Sequence, residues 1–506
     1  MRVLLINAAS YYVKQKAAIP LALLSIATYL SRNGHTVQIY DRTIEGGSVK
    51  KHLKSFSPNI VGISSPGGMS FDDAIKVSKV VKKNNIPVVW GGQIPTLIPE
   101  LVLKTGFVDF VIKGDGEIIL LDLIKAITNK ASFHNIDGLA FIEKGEMIIN
   151  QDRAAVDLSL LPTIDFSFVD PKKYYFTNIG CKRMLHTYTS KGCIGNCTYC
   201  YSPGYSKCEW RPRPSEYFIS EIKYLFYNFN IDGIYFVDDL LSPNKEHLVS
   251  LCDKLIENGL GLLWSCDIRT DICTKENLQK MYDAGCRWIF FGIESGSRER
   301  QMLIKKRLDI EKTKETIDYC NEIGIWTTTS FMIGFPDETE AELRETLEFV
   351  REINSKVKLA ALFGPIPKSE MYYDLLKNRK ITAPQSYKDW GKLATIDTIG
   401  KNFSNVPSTE LKVITNWFLF STFKTKTIDK EKDLESRIWV KRLFGLIVDI
   451  LKRGNLRSIY IILLSAKEFL EIIFYATMFP RIRKKYDLKK TSNIPNKTKK
   501  LIKIIH

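Results

Sequence analysis

The chain has 506 residues, is 45% hydrophobic and carries a formal net charge of +17. This length allows two or three domains, each with a core of its own, and the composition excludes a disordered or collagen-like chain. Ten cysteines without a pairing pattern, with a strand-like start at Met1 instead of a signal peptide, argue against a disulfide-stabilised secreted scaffold. We therefore expect a folded protein of the reducing cytoplasm.

Residues 1–128 alternate short apolar runs with amphipathic segments, a pattern that predicts a parallel α/β sheet of the doubly wound, flavodoxin-like type. The predicted strands are Val3–Asn7, Val37–Asp41, Ile60–Ser64, Val88–Trp90 and Phe110–Ile112. The predicted helices are Pro20–Arg32, Asp72–Lys83, Ile94–Lys104 and Glu117–Ala126. Glycines follow two of the strands, and they allow a ligand to approach the backbone at the carboxyl ends of the sheet.

A β-hairpin is predicted at 137–151, followed by a proline-containing linker at 152–173. The expected domains are therefore 1–136, a joint at 137–184, a second α/β domain at 185–380 and a basic, helical region at 381–506. Polar groups follow each predicted strand of the second domain, and barrel active sites gather at such carboxyl ends. The strands of this domain are expected at Leu185–Tyr188, Gly233–Val237, Leu262–Cys266, Trp288–Phe291, Thr327–Ile333 and Lys358–Phe363.

Three cysteines, Cys193, Cys197 and Cys200, lie within eight residues directly after the first of these strands. Closed tetrahedral zinc needs four ligands, whereas three thiolates suit a [4Fe-4S] cluster that leaves one iron open. The alternative is a zinc site completed by His186 or Cys208. The remaining cysteines form no second set of three, so one cluster is expected.

The cysteine spacing, with an aromatic residue before the third cysteine, resembles the signature of radical S-adenosylmethionine (SAM) enzymes. The order of strands is similar to their partial (β/α)6 barrel. The resemblance implies that the open iron binds SAM and that an aromatic side chain lies near the adenine. It also implies that Asp238, Asp239, Glu294 and Ser295 at the strand ends contact SAM, and that the Gly334 backbone flanks the adenine. SAM also needs donors for its carboxylate, and Arg269 at another strand end is a candidate.

The N-terminal half resembles the cobalamin-binding domains attached to some radical SAM proteins. The matching runs are 20–27, 61–65, 90–92 and 114–117. They imply a cobalamin site at Ser64, Gly91, Gly92, Gly114 and Glu117. The Asp-x-His-x-x-Gly motif that supplies a lower axial histidine in one cobalamin family is missing, and His35 sits in a turn. Cobalamin held without a protein histidine and an empty scaffold are both open.

Together the resemblances predict a radical SAM enzyme that cleaves SAM at a [4Fe-4S] cluster and modifies an unactivated carbon by cobalamin-dependent methyl transfer. Radical cyclisation or rearrangement without methyl transfer is the first alternative, and a non-catalytic iron–sulfur or zinc protein is the second. Such chemistry needs a one-electron reductant such as flavodoxin or ferredoxin. The expected substrate is a small molecule or a lipid.

The region 381–506 lies outside the resemblance. From residue 424 to the end it holds 21 Lys and Arg against 8 Asp and Glu, a balance of +13. Helices are predicted at Glu410–Thr422, Ser436–Lys452 and Ser458–Phe479, with apolar faces beside basic clusters. That pattern favours peripheral contact with the inner face of an anionic membrane, the alternative being helices that pack on the barrel. No nucleic-acid partner is expected.

Overall fold

The computed structural model describes residues 1–9, 17–65, 70–386, 389, 402–422 and 479–488. The chain forms two compact units. Unit 1 comprises Met1–Phe291, Gln301–Trp326 and Gly364–Gly400. Unit 2 comprises Gly292–Arg300, Thr327–Phe363 and Lys401–His506.

The N-terminal part of unit 1 is built on one seven-stranded sheet in the order β2-β1-β3-β4-β5-β6-β7. Its first five strands are parallel: β1 (Arg2–Asn7), β2 (Thr36–Asp41), β3 (Ile60–Ser64), β4 (Val88–Gly91) and β5 (Phe110–Ile112). The predicted hairpin adds two antiparallel strands, β6 (Leu139–Glu143) and β7 (Glu146–Ile149). The inner strands are apolar because both of their faces are buried, as at Leu4, Ile6 and Val61.

Among the described residues, six helices connect these strands: α1 (Leu21–Arg32), α2 (Val49–Phe56), α3 (Phe71–Lys82), α4 (Gln93–Leu97), α5 (Pro99–Leu103) and α6 (Gly116–Asn129). The prediction of one helix over 94–104 is wrong. The chain leaves the helical conformation at Ile98, with φ −134° and ψ 51°, because a residue before proline disfavours that conformation. Helix α2 was not predicted, since its sequence is polar apart from Val49, Leu53 and Phe56.

The second sheet of unit 1 has the strand order β14-β13-β12-β9-β8. Its strands are β8 (Phe176–Asn178), β9 (Cys181–Thr187), β12 (Gly233–Phe236), β13 (Leu263–Asp267) and β14 (Cys286–Glu294), and β14 continues into unit 2. Strands β9, β12, β13 and β14 are parallel, and β8 is antiparallel to β9. Strand β14 is longer at both ends than the predicted Trp288–Phe291, and β9 begins four residues before the predicted Leu185.

A separate two-stranded antiparallel ladder joins β10 (Ser190–Gly192) to β11 (Trp210–Pro212). All three motif cysteines lie in the segment between these two strands, which we call the cluster loop (residues 193–209). The short helix α7 (Ser202–Ser206) belongs to this loop. The other helices of this part of the chain are α8 (Ser215–Phe229), α9 (Lys245–Glu257), α10 (Lys275–Asp283), α11 (Arg298–Leu303), α12 (Ile310–Ile323) and α14 (Glu370–Lys377).

Unit 2 pairs β15 (Trp326–Ile333) in parallel with β16 (Val357–Leu362), and α13 (Glu340–Glu352) connects them. The helix predicted at 410–422 is present as α15 (Ser408–Thr422), which contacts β16. A last short helix, α16 (Pro480–Lys485), contacts α15. The predicted helix Ser436–Lys452 lies outside the described residues, and so does the predicted helix Ser458–Phe479 except for Phe479. Within the described residues, no helix is both long and apolar enough to cross a bilayer.

Candidate functional site

The three motif thiols share the cluster loop and are half-buried. Two of the sulfurs lie close to each other beside Gly195. A Cβ atom built on Gly195 would lie 3.3 Å from the Cys193 Sγ and 3.8 Å from the Cys197 Sγ. The backbone also provides donors: the Gly195 N–H lies 3.3 Å from the Cys193 Sγ, and the Ser202 N–H lies 3.4 Å from the Cys200 Sγ. Such amide hydrogen bonds to sulfur stabilise ligated thiolates.

Without a cation, burial favours the neutral form of two of the three thiols, Cys193 and Cys200. Burial raises the pKa of Cys200 to about 12, and the neighbouring Cys197 and Cys193 push it in the same direction. Burial likewise raises the pKa of Cys193. Deprotonation therefore requires a positive centre among the three sulfurs, which iron ions provide. This donor set fits the predicted cluster.

Across the described residues, no group of three or more His, Cys, Asp and Glu side chains is arranged to hold a single metal ion. A cluster makes no such demand, since each thiolate binds a different iron. The two candidates for a fourth zinc ligand make other contacts, although the buried Nδ1 of His186 has no hydrogen-bond partner among the described residues. His186 stacks on Phe176 with ring centroids 4.5 Å apart, and the Cys208 Sγ lies 3.6 Å from the Gly195 carbonyl.

The two aspartates that follow β12 brace the segment carrying the cysteines. Asp238 is buried, and its Oδ1 accepts hydrogen bonds from the Thr189 N–H (2.9 Å), the Thr189 hydroxyl (2.9 Å) and the Ser190 hydroxyl (2.6 Å). Burial raises the pKa of Asp238 to about 7, although these donors oppose the shift. The carboxylate of Asp238 thus fixes the turn between β9 and β10.

Asp239 binds both sides of the cysteine motif. Its Oδ2 accepts from the Gly192 N–H at 3.1 Å, one residue before Cys193, and its Oδ1 accepts from the Tyr201 hydroxyl at 2.5 Å, one residue after Cys200. The sequence suggested only contacts with SAM for these aspartates. Their use as braces depends on the ladder partners of β12, which the sequence does not specify.

Two cationic side chains approach the cluster loop. A Cβ built on Gly195 would lie 4.0 Å from the Arg269 Nη1, and the Arg269 guanidinium also pairs with Asp271 and donates to the Lys306 carbonyl at 2.8 Å. The Lys306 Nζ lies 3.4 Å from the hydroxyl of Tyr199, the buried aromatic residue before the third cysteine. Lys306 was missed because the run 305–307 reads as an ordinary basic surface.

The other predicted SAM residues belong to unit 2. Glu294 ends β14 with φ +70°, a left-handed conformation that is costly for a non-glycine residue and is frequent at functional sites. The Ser295 hydroxyl lies 3.0 Å from the Thr346 hydroxyl. The Gly334 N–H donates to the Glu338 carboxyl, whose pKa burial raises to about 7. The roles of Glu294, Ser295 and Gly334 toward SAM remain predictions.

Four of the predicted cobalamin residues lie at the carboxyl ends of neighbouring parallel strands: Ser64 is the last residue of β3, Gly91 is the last residue of β4 and is followed by Gly92, and Gly114 lies two residues after β5. Thr96 connects two of these turns, since its hydroxyl donates to the Gly92 carbonyl (2.8 Å) and accepts from the Gly114 N–H (3.0 Å). A Cβ on Gly114 would meet nothing within 4 Å. This edge is the ligand-binding edge of an open α/β sheet and fits cobalamin.

The fifth predicted cobalamin residue, Glu117, lies in the first turn of α6, and its side chain contacts other residues. Its buried carboxylate accepts from the Ser25 hydroxyl at 2.6 Å and pairs with Lys191 at 3.2 Å. Of the N-terminal histidines, His35 contacts the amino group of Met1 (3.1 Å), beside the amino-terminal ends of β1 and β2 and so opposite to the glycine edge. His52 stacks on Tyr40, and His134 pairs with Glu143.

Comparison with known proteins finds family matches for two segments of the chain. Residues 187–350 match the Radical SAM superfamily, and residues 15–124 match the B12 binding domain. The chain carries a B12-binding domain and a radical SAM domain. The resemblance and fold class predicted from the sequence are confirmed, as are the enzyme class and the three cofactors: a [4Fe-4S] cluster, SAM and cobalamin.

An uncharacterized methyltransferase of Pyrococcus horikoshii is 27% identical over 452 residues, 87% of this chain and 94% of that protein. The anaerobic magnesium-protoporphyrin IX monomethyl ester cyclase of Rubrivivax gelatinosus is 22% identical, over 86% of this chain and 79% of the cyclase. Among solved structures, the radical SAM methyltransferase TsrM of Kitasatospora setae, with cobalamin and a [4Fe-4S] cluster bound, superposes with a TM-score of 0.68. That match covers 83% of this chain and 94% of TsrM at 17% identity, which shows a shared fold.

Proposed function

We propose that this protein is a cobalamin-dependent radical SAM enzyme that transfers a methyl group to an unactivated carbon of its substrate. The observation that supports this most directly is the combination of a three-cysteine loop with a glycine-lined sheet edge of the cobalamin-binding type in one unit. When bound, the cluster supplies the electron that splits SAM, and cobalamin carries the methyl group.

The residues of the chain have defined tasks in this proposal. Cys193, Cys197 and Cys200 hold the cluster, while Asp238 and Asp239 fix the backbone on both sides of the cysteines. Arg269, Glu294, Ser295 and the Gly334 backbone contact SAM. The turns at Ser64, Gly91, Gly92 and Gly114 hold cobalamin without a histidine ligand from this protein.

A radical cyclisation is the second candidate, because a cyclase is among the similar proteins. The two reactions change the mass of the substrate in different ways, and mass spectrometry of the products distinguishes them. The anaerobic enzyme, supplied with cobalamin, a flavodoxin or ferredoxin system and SAM carrying a trideuterated methyl group, is incubated with a lipid extract and, separately, with a small-molecule extract. A product that gains the labelled methyl group supports methyl transfer, whereas an unlabelled product that has lost hydrogen supports cyclisation and refutes methyl transfer.

Contact with an anionic membrane through the C-terminal region is a finer part of the proposal. It is supported by the balance of 21 Lys and Arg against 8 Asp and Glu from residue 424 onward. Lys485 does not contribute to lipid binding in this proposal, because its ammonium group pairs with Glu340 (2.6 Å) and Glu410 (3.0 Å) of unit 2. Binding to anionic vesicles should fall steeply with salt, since exposed charges are screened within about 10 Å at 0.1 M. A full-length chain that ignores such vesicles at low salt contradicts the membrane contact.

A further inference from the structure

Four charged side chains connect the B12-binding domain to the base of the cluster loop. The Lys191 Nζ lies 3.1 Å from the Asp115 Oδ1 and 3.2 Å from the Glu117 Oε1, and the Arg211 Nη1 lies 2.7 Å from the Asp115 Oδ2. We call these four residues the interdomain clamp. The side chains of Asp115 and Glu117 are only 9% and 2% exposed, so the pairs are shielded from water.

The two cations of the clamp form the stem of the cluster loop. Lys191 and Arg211 are directly opposite each other in the antiparallel ladder of β10 and β11. Like charges at such positions repel each other and destabilise the ladder. Asp115 and Glu117 neutralise both cations, so the ladder that closes the cluster loop is stabilised by carboxylates of another domain. Lys191 is also only two residues from Cys193.

The buried carboxylates of the clamp, which belong to the B12-binding domain, are stabilised by the cations of the cluster-loop stem. Burial alone would raise the pKa of Asp115, but Lys191 and Arg211 lower it to about 2. Glu117 Oε2 is buried and accepts no hydrogen bond from the described residues, so the carboxylate is stabilised through Oε1, by Lys191 and by the Ser25 hydroxyl. Removing either partner leaves an uncompensated buried charge.

The carboxylates of the clamp follow the glycine edge directly. Asp115 is adjacent to Gly114, whose N–H is bound by Thr96 of α4. Helix α4 contacts α7 of the cluster loop, and the Tyr201 side chain packs against the hydrophobic core of the N-terminal sheet. One short turn therefore presents Gly114 to the cobalamin edge and Asp115 to the loop that carries the cysteines.

We propose that the interdomain clamp couples the two cofactor sites, so that cobalamin at the glycine edge and the cluster on the three cysteines favour each other's binding. This inference rests on the proposed function, because it assumes that both groups bind. Asp115, Glu117, Lys191 and Arg211 are positioning residues in it. Coupling of this kind is reciprocal and typically changes an affinity about 5- to 150-fold.

The test measures cobalamin binding to the full-length chain, with no turnover. Hydroxocobalamin is titrated by absorbance into anaerobic protein with the cluster reconstituted and into protein without iron, and the ratio of the two affinities is the readout. We expect a ratio of about 5 or more in the wild type. In Lys191→Met we expect a ratio near one and a lower iron content after reconstitution at limiting iron.

Lys207→Met is the matched control, because Lys207 lies in the same loop but pairs with Asp152 at 3.4 Å through side chains that are about half exposed. It should keep the wild-type ratio. Glu117→Gln removes the opposite charge of the clamp and gives a second variant if Lys191→Met does not fold. An unchanged ratio in both clamp variants, or a wild-type ratio of one, overturns the coupling alone. A wild-type chain that binds no cobalamin overturns the coupling and the proposed methyl transfer together.

Discussion

The role of Asp238 as a brace gives a quantitative prediction. Asp238→Ala removes the acceptor for three donors in a buried turn. The Ser190 hydroxyl can turn to the Leu240 carbonyl, which is already 3.3 Å away, but the Thr189 N–H and hydroxyl lose their acceptor. A buried unsatisfied donor costs about 1–3 kcal/mol, so the alanine variant should lose about 4 kcal/mol of unfolding free energy. At about pH 5.5, where the Asp238 carboxyl of the wild type is protonated, Asp238→Asn keeps one oxygen at this position and should lose about 1 kcal/mol.

The raised pKa of the Asp238 carboxyl predicts that the free energy of unfolding depends on pH. Burial raises the pKa of Asp238 to about 7 in the folded chain, against about 3.9 for an unperturbed aspartate. A raised acid pKa means that the folded chain binds the proton more tightly. The contribution of the protonated Asp238 carboxyl to the free energy of unfolding is therefore complete below about pH 4, and it is lost as the pH rises through about 7. Asp238→Asn removes this effect, so the variant should gain stability relative to the wild type between about pH 5.5 and pH 8, by about 2 kcal/mol.

Both effects can be measured by urea unfolding of the protein without iron at the two pH values, with tryptophan fluorescence as the probe of unfolding. SAM affinity of the cluster-loaded protein is measured in parallel by calorimetry. If Asp238→Ala unfolds at the same urea concentration as the wild type but no longer binds SAM, Asp238 is a SAM ligand and the reasoning about the brace is wrong.

Three further predictions concern the cofactor sites. Tyr201→Phe should lower iron loading at limiting iron by about 5-fold, because it removes a part-exposed hydrogen bond to Asp239 worth about 1 kcal/mol; equal loading would contradict this brace. Glu294→Ala should leave the cluster intact but weaken SAM binding roughly 10- to 150-fold, the usual effect of losing a charge-assisted hydrogen bond, and unchanged calorimetric affinity would remove Glu294 from the site. Electron paramagnetic resonance of the cob(II)alamin form should show no splitting from an axial imidazole, and a three-line splitting caused by a protein nitrogen would refute the histidine-free site.

The fold could be predicted largely from the sequence because its strands are short apolar runs buried on both faces. The strands Ile60–Ser64 and Phe110–Ile112 have the bounds that the sequence indicated, and the hairpin follows its glycine turn. The errors have local causes. The break at Ile98 comes from the conformational restriction before Pro99, and α2 has only a narrow apolar face on a polar helix.

The candidate site was only partly predictable. Cysteine spacing predicts the cluster ligands, since the chemistry needs soft ligands close together in the chain. The braces from Asp238 and Asp239 and the pairing of Lys191 with Glu117 depend on contacts between residues 38 to 74 positions apart. No local pattern encodes such contacts. A lysine two residues before a motif cysteine reads as solvated until the fold places a carboxylate beside it.

The central claim is tested most directly by anaerobic SAM cleavage. The reconstituted wild type, supplied with cobalamin, methyl-labelled SAM and a low-potential reductant, should produce 5′-deoxyadenosine. The variant with Cys193, Cys197 and Cys200 replaced by alanine should lose the broad visible absorption of the cluster and produce none. Formation of 5′-deoxyadenosine by the triple variant, or its absence in a wild type fully loaded with iron, would contradict the assignment of this protein as a radical SAM enzyme.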